Sequence, residues 1–66
     1  MFQVIKRIKI GGEKTFESIG FFVKKADAEQ MSLEMIREFG LLHKDSKNGY
    51  LAKLPNSTVK IYWIEI

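Results

Sequence analysis

The side chains able to do acid–base chemistry are few. Glu34 and Glu38 are four residues apart and share a helical face with Asp27. Paired carboxylates at that spacing could bind a cation or perform acid–base work. They would sit on a convex helix surface, however, where nothing walls off a substrate, and Arg37 stands among them. His43, the sole histidine, belongs to the polar run "HKDSKNG", where a solvated imidazole is expected rather than a general base. Gly11-Gly12 lacks the following helix that a phosphate loop requires. The chain has no cysteine, which excludes disulfides and thiolate zinc sites and suits a reducing cytoplasm. No Ser-His-Asp set, Walker motif or zinc spacing occurs. The sequence points away from an enzyme and implies no cofactor and no metal.

Binding chemistry is better represented. The run "VKIYWIEI", Val59–Ile66, alternates as a strand, with Val59, Ile61 and Trp63 on one side and Lys60, Tyr62, Ile64 and Ile66 on the other. "FQVIKRIKI" alternates too: Phe2, Val4, Ile8 and Ile10 share a face with Lys6 as the exception, and Gln3, Ile5, Arg7 and Lys9 share the other. If a helix covers Val4, Ile8, Ile61 and Trp63, the opposite face offers Ile5, Arg7, Lys9, Lys60, Tyr62 and Ile64 as a contact set. A patch of this kind, apolar with a basic rim, suits a protein partner with an acidic surface or a second copy of the chain. Basic residues interleaved with aromatic ones also fit a single-stranded nucleic acid, the second expectation. A third is edge pairing, in which an outer strand joins a partner's sheet and Lys14 and Lys53 guard against unwanted pairing.

Several elements must position these residues. Gly11-Gly12 can take up the positive φ angles of a tight hairpin, so a second strand should run roughly from Glu13 to Phe22. A two-residue loop sets Val4 opposite Ile19, Phe2 opposite Phe21 and Lys6 opposite Glu17, which gives the misplaced lysine an ion-pair partner. In that register Phe16 and Phe22 join the open face. Ala28, Met31, Ser32, Met35, Ile36 and Phe39 form a stripe at helical spacing that Gly40 is placed to end, with Leu33 outside it and part exposed. "HKDSKNG" is expected to be a loop, "YLAKL" a short strand and "PNST" a turn, despite its glycosylation sequon.

The expected layout is a single 66-residue α+β domain, ββαββ, with one helix on a four-stranded mixed sheet in the order 2-1-4-3. The two most apolar strands lie at its centre, parallel to each other. That layout resembles the β-grasp of ubiquitin-like and small immunoglobulin-binding domains, a likeness of architecture that carries no function. "GFFVKKADAEQM" is similar to the strand-to-helix entry of the arm-binding domains of phage integrases. Lys24 stands where their capping threonine would be, and a long segment follows the helix here, so the chain is not assigned to them. Size, single-domain build and lack of cofactor motifs resemble small accessory proteins of bacteria and phages. The opening "MFQVIKRIKI" interleaves charge with apolar residues, unlike a signal peptide or membrane span. Charge is uneven: Ala26 to Phe39 carry four acids and one base, and the rest carries ten bases and four acids, so an acidic helix on a basic sheet is expected. A domain this small buries only about 60% of its unfolded surface, which is a further reason to expect a partner.

Overall fold

In the computed structural model the described residues are 1–40, 43–46 and 48–66, with the backbone alone for 43–46. In chain order they form β1 (Phe2–Ile10), β2 (Glu13–Phe22), α1 (Lys25–Arg37), β3 (His43–Ser46), β4 (Gly49–Leu54) and β5 (Ser57–Glu65). The five strands make one sheet in the order β2-β1-β5-β4-β3. Every neighbouring pair is antiparallel.

The four expected strands stand in the expected order, but the sheet is not mixed. The cause is one short element. His43–Ser46, expected to be a loop, is an outer strand paired with β4. It adds one reversal of chain direction between the helix and β4. Each later strand therefore runs opposite to the expectation, and β1 and β5 meet antiparallel. The β-grasp likeness, which needs those central strands parallel, does not hold.

Turn chemistry fixes the hairpins. Gly11 has φ +61°, with Gly12 on the negative side, the pattern of a type II′ turn closed by Ile10 and Glu13. Pro55-Asn56 closes Leu54 against Ser57, proline presetting φ at the first turn position. From Gly11-Gly12 the expected register runs as far as Ile5 opposite Ser18, with Lys6 opposite Glu17. A bulge then inserts one residue, setting Val4 against Gly20 and Phe2 against Phe22. Phe22 consequently turns to the helix side, packing on the core, and Phe21 takes the open place expected for Phe22.

The helix starts at Lys24 with no side-chain cap, has Asp27 in its first turn, and is followed by Gly40 at φ +85°. Ala28, Ser32 and Ile36, spaced by four, are fully buried. The Ser32 hydroxyl donates to the Ala28 carbonyl at 2.8 Å, so its burial leaves no donor unpaired. Leu33 also packs against the core, a wider contact than the expected stripe. Below the helix lie Val4, Ala52, Val59, Ile61 and Trp63, all buried. Lys6 shares this face; its ammonium lies 5.4 Å from the Phe39 ring centroid rather than closing an ion pair with Glu17. The charge thus stays at the rim of the helix–sheet layer.

Candidate interaction face

The sheet face away from the helix is built in rows, because residues opposite one another on antiparallel strands point the same way. Adjacent strands lie about 4.8 Å apart, so each row is a line of close neighbours. The row nearest the two hairpin turns is Lys14, Lys9, Thr58 and Lys53. Next come Phe16, Arg7, Lys60 and Leu51, then Ser18, Ile5, Tyr62 and Gly49. The last is Phe21, Gln3 and Ile64. Beyond it the Ile66 amide donates to the Met1 carbonyl at 2.9 Å, which extends the β1–β5 alternation to the chain ends.

All six residues expected to form the contact set, Ile5, Arg7, Lys9, Lys60, Tyr62 and Ile64, lie on this face, and Ile5–Tyr62 and Arg7–Lys60 are direct cross-strand pairs. The face divides in two. Toward the turns it is cationic, with Arg7, Lys9, Lys14, Lys53 and Lys60. Toward the chain ends it is apolar, with Ile5, Tyr62, Ile64 and the exposed rings and chains of Phe21, Met1 and Ile66. Among the described residues of these rows there is no carboxylate. Glu13, Glu17 and Glu65 are in register with Ile10, Lys6 and Phe2 on the helix side.

Within the face the side chains lie on one another. The Lys60 ammonium sits 5.2 Å from the Tyr62 ring centroid. The Gln3 amide donates to the Ser18 hydroxyl at 3.0 Å. Gly49 is buried beside Tyr62, where a Cβ would come within 2.8 Å of the Tyr62 Cβ, so only glycine fits there without a shift of the backbone. Asn48 holds the same end: its side-chain amide donates to the Trp63 carbonyl at 2.9 Å, and the Trp63 amide donates to the Asn48 carbonyl at 3.0 Å. The Arg7 Nε is enclosed and has no acceptor among the described residues. A buried N–H without an acceptor costs free energy that a bound acceptor would recover.

The acid–base candidates of the helix lie on its solvent side. Asp27, Glu34 and Glu38 are exposed along α1, where the Gln30 amide donates to Glu34 Oε1 at 3.1 Å and Lys25 approaches Glu29 at 3.9 Å. The His43 side chain lies outside the described residues. Among those described, no group of three or more potential metal ligands occurs, and no helix is long and apolar enough to cross a membrane.

Phe21, Lys14 and Lys53 belong to the face but were not in the contact set. Gly20 inside a strand pattern is the mark of a bulge and could have placed Phe21. β3 covers β4 only from Gly49 to Leu51, so Lys53, expected to guard an outer edge, lies beyond the covered stretch. Neither the scan against protein-family models nor the comparisons with curated proteins and with solved structures finds a match for this chain.

Proposed function

We propose that the protein is a non-enzymatic interaction module of the cytoplasm whose open sheet face docks on another protein. The apolar half is desolvated in the contact, and the cationic half meets carboxylates at its border. The observation that carries this reading is that the described residues divide the face away from the helix into an aliphatic and aromatic half and a cationic half without acids. Aliphatic groups such as Met1, Ile5, Ile64 and Ile66 suit a protein surface, because they bury area but offer a base no ring to stack on. Arg7 and Tyr62 stand at the boundary between the halves, as residues that anchor interfaces do. A second reading rests on a separate feature: the exposed Phe16 ring flanks Arg7 and the lysine row, a pairing of stacking surface and phosphate partner that single-stranded nucleic acid would use.

Capture of partners from a bacterial lysate at low salt, with and without nuclease, separates the two. The expected result is a protein that survives nuclease and is lost when Tyr62→Ser and Ile64→Ser are combined in a chain that remains folded. Retention that vanishes with nuclease, and falls steeply with salt as counterion release requires, would move the function to nucleic acid.

A further inference from the structure

β2 is one of the two outer strands of the sheet, and all of Glu13–Ser18 is exposed. Its backbone is half satisfied, and hydrogen bonds elsewhere show which half. The Ile66 amide bonds to Met1 and the Trp63 amide to Asn48. Along an antiparallel strand, successive residues bond alternately to the two neighbours. Odd-numbered β1 residues therefore bond β5, which leaves Lys6, Ile8 and Ile10 to bond Glu17, Thr15 and Glu13. The amide and carbonyl groups of Lys14, Phe16 and Ser18 then point away from the sheet.

We infer that these three residues form a self-complementary edge, through which two copies of the chain pair β2 against β2 about a two-fold axis at Phe16. The axis is perpendicular to the sheet, so residues of like parity meet and both helices stay on one side. Phe16 then faces Phe16 of the second copy, Lys14 faces Ser18, and Thr15 faces Glu17. Lys14, Phe16 and Ser18 each exchange an N–H···O pair. Charge selects this register. Centring the axis on Thr15 opposes Glu13 to Glu17, centring it on Glu17 opposes that glutamate to its own copy, and centring it on Lys14 opposes two lysines; like charges directly opposite are unfavourable. Moving the centre further toward Phe22 runs into the bulge at Ile19. The chosen register also buries Phe16, 62% exposed in the single chain, as a cross-strand aromatic pair. The two open faces become continuous, with Phe16, Arg7 and Lys60 of each copy in one row. The pairing stands whether the partner of that face is a protein or a nucleic acid.

Sedimentation equilibrium of the purified chain at concentrations up to about 1 mM tests this. The expected result is a monomer–dimer equilibrium. Thr15→Lys places a cation opposite Glu17 twice and should lower the dimer Kd; Thr15→Glu opposes two acids and should raise it, each by roughly twofold to thirtyfold. Both changes remove the same Thr15 hydroxyl contact to the Ile8 carbonyl, so that loss is common to the two, and the urea stability of each variant at low protein concentration gives the remaining intrachain charge effect separately from the shift in Kd. Phe16→Pro removes an amide that the β1 ladder does not use and should give a folded monomer, checked by its amide spectrum. A wild-type chain that stays monomeric throughout, Thr15 variants that shift Kd in the same direction, or a dimer that persists in Phe16→Pro would each overturn the inference. A dimer lost only on combining Tyr62→Ser with Ile64→Ser would do so as well, since it would use the open face.

Discussion

The two faces of the sheet are made by alternate residues of the same strands, yet their side chains are held differently. On the helix side Val4 and Ile61 are 0% exposed and Val59 1%, closed in by Ala28, Ser32 and Ile36 from a second layer. On the other side Ile5, Tyr62 and Ile64 are half-buried, and the cover seen among the described residues lies within the layer, with the Lys60 ammonium over the Tyr62 ring and Gly49 against the Tyr62 Cβ. Long amphipathic side chains can shield apolar area in this way without fixing its shape. The covered face is therefore constrained by packing, and the open face mainly by what can lie flat upon it. Residue types there are free to answer to a partner.

The largest expected effects test that contrast within one strand. Ile61→Ala removes a side chain enclosed on all sides and should cost about 2–5 kcal/mol, enough to unfold much of so small a domain. Ile64→Ala, three residues on, removes one that lies on the open face and should cost less than about 1.5 kcal/mol. Urea titrations of the two variants at low protein concentration give the difference directly. Equal costs would mean that the open face is packed as a second core, and the contrast would fail.

A smaller effect marks where the open face does impose shape. Gly49→Ala puts a methyl group within 2.8 Å of the Tyr62 Cβ and 3.3 Å of the Ile61 carbonyl oxygen. The backbone must move, at a cost of about 1–3 kcal/mol. Combining it with Tyr62→Ala does not relieve the clash, because the contact is to the Cβ that alanine keeps. Combining it with Tyr62→Gly should relieve part of it. A double-mutant cycle in urea shows the coupling, and strict additivity would mean that the Ile61 carbonyl is the obstacle.

The parts legible in the sequence are those with strong alternation. "VKIYWIEI" assigned both faces of β5, and "FQVIKRIKI" with its Gly-Gly turn assigned both faces of β1. The placing of Ile5, Arg7, Lys9, Lys60, Tyr62 and Ile64 on one face follows from that parity alone. Two features escaped because their signals are not hydrophobic. "HKDS" has no apolar residue, and an outer strand needs little, since one edge faces solvent. Missing it reversed the sense of β4 and β5 without changing their order. The bulge at Ile19 was the other, and it exchanged the places of Phe21 and Phe22. Strand order survives a missed outer strand, because order depends on which strands are most apolar. Direction does not, because it depends on the parity of the reversals.

The smallest expected effect distinguishes the faces by charge. Lys9 lies between Lys14 and Thr58, with Lys53 next in the row and no acid among the described residues of that face. Lys9→Glu should therefore stabilise the isolated chain at low salt, by about 0.2–1 kcal/mol, because it turns a like-charge pair into an opposite one. The gain should shrink toward zero near 1 M salt, where the screening length falls to about 3 Å. Lys6→Glu, on the helix side of the same strand, should do the reverse. It opposes Glu17 with a second acid and removes the cation lying over the Phe39 ring. If both substitutions moved stability in the same direction, charge would be distributed evenly through the domain. A gain at Lys9 would instead show that the native row costs folding stability, the expected mark of cations placed for a binding partner rather than for the fold.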